Sequence, residues 1–132
     1  MLSVRNIKMK NLSFIKKIAV KVGQDSDEAL LFLTGFKNLR KAIIVEPGLT
    51  IYQLPGGTTL EFYGIGSHSP DYLFQYGKIT LSYRVNNLEK SLTLLKSRGA
   101  ILLGAIEYIC ADCCFCYLLL ANNSVIGLYQ DK

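Results

Sequence analysis

The sequence lacks any run of about 18 consecutive apolar residues, even though 50% of its 132 residues are hydrophobic, so no membrane-spanning helix is expected. No secretory leader is expected either. Met1 to Lys8 carries Arg5 and Lys8 where a signal peptide needs its apolar run, which makes the cytoplasm the expected location and structural disulfides unexpected. Histidine occurs once, at His68. The four cysteines all fall within Cys110–Cys116, and with no second pair elsewhere the usual four-thiolate site built from two separate knuckles is excluded. Soft-metal binding, redox switching and plain reduced thiols stay open for them. Clustered basic charge is also lacking. The net charge of +5 is spread along the chain, with only a bias toward the N-terminal half through residues such as Lys8, Lys16, Lys21 and Lys41. That bias can steer an anionic ligand, but there is neither the basic stripe nor the motif of a nucleic-acid reader, so neither nucleic acid nor membrane is an expected partner.

What the chain does contain is a complete β-α-β-β-β unit from Gly77 to Gln130. Ile79 to Val85 alternates apolar and polar residues with the period of a half-buried strand. Asn86 then predicts an N-cap, Glu89 completes a capping box, and Leu88, Leu92 and Leu95 recur on one helical face before Gly99 ends the helix. Ala100–Ile109 and Phe115–Ala121 predict two more strands, and Asn122-Asn123 predicts the turn into a last one, Val125–Gln130. The cysteines lie at the turn between the second and third strands, where Cys114 and Cys116 share one face and Cys113 opposes them.

A degenerate copy of the unit precedes it. Ile18, Val20 and Val22 alternate with Lys17, Ala19 and Lys21. Asp25 or Ser26 is placed to cap a helix bearing Ala29, Leu30 and Leu33. Strands are predicted at 41–46, 49–54 and 58–63, separated by Pro47-Gly48 and Pro55-Gly56-Gly57. Residues 1–13 show no assignable period and fit either a tail or an extra edge strand. The domain is therefore read as 14–132, with the first unit at 14–66, a linker at 67–76 and the second unit at 77–132. Matching the first strands sets Lys17 against Thr80, a shift of 63, and matching the last strands sets Glu61 against Gly127, a shift of 66. Duplication of this kind predicts that each open four-stranded sheet is completed by its twin.

Two consecutive β-α-β-β-β units resemble the vicinal oxygen chelate superfamily, which includes glyoxalase I, extradiol dioxygenases and the bleomycin-resistance proteins. The resemblance is carried best by Tyr83-Arg84-Val85-Asn86-Asn87-Leu88-Glu89-Lys90, similar to the family's strand-to-helix junction, and by Asn122 to Gln130, similar to its closing hairpin. It implies an α+β fold in which the two units pair into a cupped mixed sheet, with helices on the convex side and a ligand or metal in the concavity. Alternation then assigns Ile18, Val20, Val22, Leu60, Phe62, Ile79, Leu81, Tyr83, Ile126 and Leu128 to the helix side. Lys17, Ala19, Lys21, Glu61, Tyr63, Thr80, Ser82, Arg84, Gly127 and Tyr129 face the cup.

The family's metal-holding positions carry over as Lys17, Glu61, Thr80 and Gly127. Only Glu61 is a good divalent ligand, so no metal and no other cofactor is expected. Lys17 and Glu61 read instead as a mutually neutralising pair, either for solvation alone or to orient a ligand or move a proton. Tyr52, Tyr63, Tyr117 and Tyr129 lie on predicted strands; with Arg84 nearby, those in the cup make a surface for planar or anionic small molecules, although core packing is the plainer role for a strand tyrosine. The expected ligand-contacting residues are Lys17, Lys21, Glu61, Tyr63, Thr80, Ser82, Arg84 and Tyr129, with no catalytic residue assigned. Three functions compete: a metal-free small-molecule binder of the bleomycin-resistance kind, which is preferred; a glyoxalase-type lyase or isomerase with a non-standard site; and a regulatory interaction module whose cup is filled by its own side chains. Exposed sheet edges favour a homodimer.

Overall fold

A computed structural model describes residues 14–22, 40–41 and 47–131. The strands are β1 (Ile15–Lys21), β2 (Arg40–Lys41), β3 (Leu49–Gln53), β4 (Thr59–Tyr63), β5 (Ile79–Arg84), β6 (Ile101–Cys110), β7 (Cys113–Leu119) and β8 (Val125–Gln130), and the helix α1 spans Leu88–Lys96. They form one mixed sheet in the order β2-β3-β4-β1-β5-β8-β7-β6. No helix among the described residues is long and apolar enough to cross a membrane. The expected tail at 1–13, the first helix and most of the strand at 41–46 lie outside the described residues.

The register displays the duplication residue by residue. β1 runs parallel to β4 and β5 runs parallel to β8, and each of these pairs is the inner half of one unit. The two units meet where β1 lies antiparallel to β5 with Ile18 opposite Leu81, so a shift of 63 carries one residue of that central pair onto the other. Ile18 also pairs with Leu60, and Leu81 with Ile126, which is the shift of 66. A local two-fold axis therefore passes between Ile18 and Leu81.

The second unit follows its sequence signals with one displacement. α1 is capped by Asn87, whose extended backbone (φ −140°, ψ 104°) lets its side chain accept from the Lys90 N–H at 3.1 Å. The cap expected at Asn86 is thus one residue late, and Glu89 falls in the first turn, where its charge suits the positive end of the helix dipole, rather than closing a capping box. Lys96 complements the other end. The chain leaves through Gly99 at φ +95°, which lets the Ala100 N–H reach back to the Leu95 carbonyl at 3.0 Å.

Alternation puts two apolar clusters on the helix side of the sheet. One joins Leu88 and Leu92 of α1 to Cys114, Cys116, Leu118 and Leu128, with Val85, Leu95 and Ile126 packed around them. The other, in the first unit, joins Val20, Leu60 and Phe62 with Ile18 and Val22. Ile79 departs from the expected pattern: at the start of β5 it is 51% exposed.

The segment between the units is more than a connection. Leu73 is only 1% exposed, and its carbonyl accepts from the Thr80 hydroxyl at 2.6 Å. Tyr72 packs on Tyr117 with ring centroids 6.1 Å apart, and Phe74 meets Tyr63 edge-on at 5.5 Å. Residues 72–74 therefore lie across the concave face and cover part of its floor.

Candidate functional site

The concave face has a closed centre and a half-buried shelf. At the centre, Glu61 (9% exposed) accepts from the Tyr63 hydroxyl at 2.6 Å and pairs with the Lys17 ammonium at 3.6 Å. Lys17 also donates to the Tyr117 hydroxyl at 3.5 Å, so one cation ties β1 to β4 and to β7. Burial pushes the Lys17 pKa down. The Tyr117 hydroxyl and the Glu61 carboxylate outweigh burial and leave it above the ordinary 10.5. Lys17 is thus a fixed ammonium at neutral pH and is not available as a general base.

Thr80 and Ser82 are 2% and 4% exposed and belong to the floor beneath this centre. Lys21 stands apart, exposed at the end of β1 opposite Tyr63, where it borders a cleft of about 520 Å³ with Ser67, Ser69 and Phe74. Of the eight side chains expected at the site, the structure gathers Lys17, Glu61 and Tyr63 into one cluster and Arg84 with Tyr129 into another. Thr80 and Ser82 are buried under linker or neighbouring strand.

The shelf occupies the β5, β8 and β7 end. Tyr129 lies directly opposite Phe115, and their rings are parallel to within 7° with centroids 6.2 Å apart. Lys16 places its ammonium 4.5 Å from the Tyr129 ring centroid, and Lys17 lies 5.8 Å from that of Phe115. Both lysines reach the same face because β1 bulges between Ile15 and Lys17, so two residues oppose one on β5. Arg84 holds Asp131 at 2.7 Å and donates to the Gly57 carbonyl at 3.2 Å, while Lys16 approaches Asp131 at 4.0 Å. Burial, followed by the Asp131 carboxylate, pushes the Tyr129 phenol pKa up, so at neutral pH it keeps its proton and can donate.

Lys16, Phe115 and Tyr72 were not among the expected contact residues. Phe115 and Tyr117 were legible: once Tyr129 and Gly127 face the cup, the Asn122-Asn123 hairpin sets Phe115 and Tyr117 opposite them. The bulge that turns Lys16 inward has no signal in the sequence.

The residues at the metal positions carried over from the resembled superfamily do not fit a divalent ion. Glu61 is engaged by Lys17 and Tyr63, the Thr80 hydroxyl donates to Leu73, and Gly127 offers no side chain. A Cβ on Gly127 would fall inside contact distance of Ser82 Oγ and 3.0 Å from Tyr117 Cε1, so no ligating side chain has room there. Among the described residues no group of three or more His, Cys, Asp or Glu side chains is placed to share a metal.

Among the described residues, a mixed sheet whose two halves repeat about a local two-fold axis, with a concave face opposite the helix of the second unit, has the vicinal oxygen chelate architecture. Solved structures agree. The chain is similar to methylmalonyl-CoA epimerase from Mycobacterium tuberculosis, at 18% identity and TM-score 0.56 over 90% of this chain and 88% of that one. It is also similar to a glyoxalase/bleomycin resistance protein/dioxygenase superfamily member from Vibrio splendidus 12B01, at 9% identity and TM-score 0.59 over 89% and 99%. An uncharacterized protein from Methanosarcina mazei aligns at 19% identity and TM-score 0.55 over 89% and 94%. No protein-family model and no curated protein matches the sequence. The chain has the vicinal oxygen chelate fold.

Proposed function

We propose that the chain binds a planar, anionic small molecule on the shelf of its concave face, without a metal ion and without catalysing a reaction on it. The observation that carries this reading is the parallel Phe115–Tyr129 pair beneath the Lys16 and Lys17 ammonium groups. A flat ring finds an aromatic platform there. A carboxylate or phosphate finds cations: among the described residues Lys16, Lys17 and Arg84 gather here beside the carboxylates Glu61 and Asp131. A lyase or isomerase is less well supported, because Lys17 is held protonated and Glu61 is already engaged by Lys17 and the Tyr63 hydroxyl.

The test is a thermal-shift series with benzoate, 2-naphthoate and methylmalonyl-CoA, the last chosen because solved structures of similar fold include methylmalonyl-CoA epimerases. Stabilisation of about 2.7 kcal/mol is expected at one hundred times the dissociation constant. A flat response to all three compounds contradicts the reading.

One observation favours a second reading, an interaction module whose cup is filled from within: the floor residues Thr80, Ser82 and Tyr117 are at most 6% exposed, and residues 72–74 lie over them. That module would show no ligand response at all. Either way the chain is taken as a homodimer. β6 is the strand at one edge of the sheet, carries Glu107 as its single charge, and exposes Ile101, Tyr108 and Ile109, an edge that a second copy can cover. Sedimentation of only a 14.7 kDa species would overturn this.

A further inference from the structure

The four cysteines divide into two chemically different pairs. Cys114 and Cys116 are 4% and 1% exposed and pack with Leu88, Leu92 and Leu128, and burial holds both thiols above their ordinary pKa. They are apolar core groups. Cys110 is exposed and Cys113 half-buried, and they flank the two-residue tip Ala111-Asp112 as directly opposed partners of the β6–β7 hairpin.

Opposed residues on antiparallel strands have Cα atoms about 4.5 or 5.5 Å apart and side chains on the same face. Both spacings fall inside the window of about 4.4–6.8 Å that a disulfide needs. Neighbours along β7 are less suited. Cys114 and Cys116, two positions apart at about 6.6 Å, lie at the far end of that window with parallel side chains that do not converge, and Cys113 and Cys114 point to opposite faces. The tip is also held in place. The Asp112 carbonyl accepts from Gln130 Nε2 at 3.3 Å, and Gln130 Oε1 accepts from the Leu88 N–H at 2.8 Å, anchoring the turn to the start of α1.

We propose that Cys110 and Cys113 are a redox-active dithiol that closes into an intramolecular disulfide across this turn, with a small disulfide of the glutathione class as oxidant. One thiolate attacks a sulfur of the oxidant, forming a mixed disulfide and expelling one small thiol. The second cysteine then attacks the protein sulfur of that mixed disulfide and expels the other. Two electrons pass to the oxidant, the two protein protons end on the two released thiols, and one S–S bond is exchanged for another. The ordered tip favours the second attack because the two sulfurs are already neighbours. The absence of an expected structural disulfide is no obstacle, since an exposed, reversible bridge belongs to the exchangeable class.

The experiment equilibrates the full chain in glutathione buffers of increasing oxidised fraction, quenches with N-ethylmaleimide after unfolding, and reads the intact mass. The expected oxidised product is a monomer lighter by two hydrogen atoms that takes up two maleimides, while the reduced chain takes up four. Cys110→Ser and Cys113→Ser should each abolish the bridge, whereas Cys114→Ala should retain it. Circular dichroism should show that the exposed-site variant Cys110→Ser stays folded. Four reactive thiols in the most oxidising buffer, a bridge that survives Cys110→Ser, a stable glutathione adduct without a bridge, or disulfide-linked dimers as the main product would each overturn the proposal.

Discussion

Phe115 and Tyr129 face each other across β7 and β8 with ring planes 7° apart, and the Lys16 ammonium stands 4.5 Å from the centre of the Tyr129 ring. The pair is half-buried, whereas the neighbouring Tyr117 is 6% exposed and lies in the closed centre. Two tyrosines on one concave face thus have different surroundings, and their truncation should separate packing from recognition.

Tyr117→Ala removes a buried ring that also accepts from Lys17, and it should cost about 3 kcal/mol or more. Tyr129→Ala should cost about 1 kcal/mol, because its ring has less packing to lose. Denaturant midpoints of both variants beside the wild type check this. Equal large losses would make the whole face a second core.

The Lys17–Glu61 pair is largely withdrawn from solvent, so breaking it from one side strands a charge. Lys17→Met should cost about 3 kcal/mol because Glu61 is left buried and uncompensated, and adding Glu61→Leu should recover part of that loss. A double-mutant cycle in urea measures the coupling. Additive losses would show that the two residues do not act as a pair.

Alkaline stability should fall in a predictable window. Burial raises the Cys116 thiol from its ordinary 9.0 to about 11, so between these values the unfolded chain releases a proton that the folded chain keeps. Stability is then full below pH 9.0 and declines as pH rises toward about 11, by roughly 2–3 kcal/mol from this group. Lys17, also raised, adds to the decline only above its ordinary 10.5. Cys116→Ala should reduce the slope below pH 10.5 without removing it, because Cys114 and Tyr129 are also raised from 9.0 and 10.0, and chemical denaturation at stepped pH is the measurement.

Gly127 tests how tightly the floor is packed. An alanine Cβ would lie 2.9 Å from Ser82 Cβ and 3.0 Å from Tyr117 Cε1, which should cost about 1–3 kcal/mol in thermal unfolding. Adding Ser82→Gly to Gly127→Ala should relieve much of the crowding. A neutral Gly127→Ala would show that the floor has slack, and with it room for a larger ligand than the shelf admits.

The duplication was the most legible part of this chain. Period-two alternation in Ile18–Val22 and Ile79–Tyr83 carries both the strand assignment and the shifts of 63 and 66 that the register reproduces. The helix start was read one residue early because Asn86 and Asn87 are equivalent caps in composition, and only backbone geometry chooses between them. Harder to see was the closure of the floor. Tyr72, Leu73 and Phe74 sit among the turn residues that mark a linker, yet three adjacent apolar side chains in a polar stretch are paid for by burial against Tyr117, Thr80 and Tyr63. Lys16 was hidden for a different reason: strict alternation sends it to the helix side, and the β1 bulge reverses that locally without any glycine or proline to announce it.

The most direct test of the shelf is a calorimetric titration of 2-naphthoate into the wild type, Phe115→Ala and Lys16→Ala. The account predicts saturable binding, one ligand per chain, weakened about tenfold or more in Phe115→Ala, with a smaller loss in Lys16→Ala that fades as salt is raised. No saturable heat in the wild type, or equal affinity in all three proteins, would contradict it.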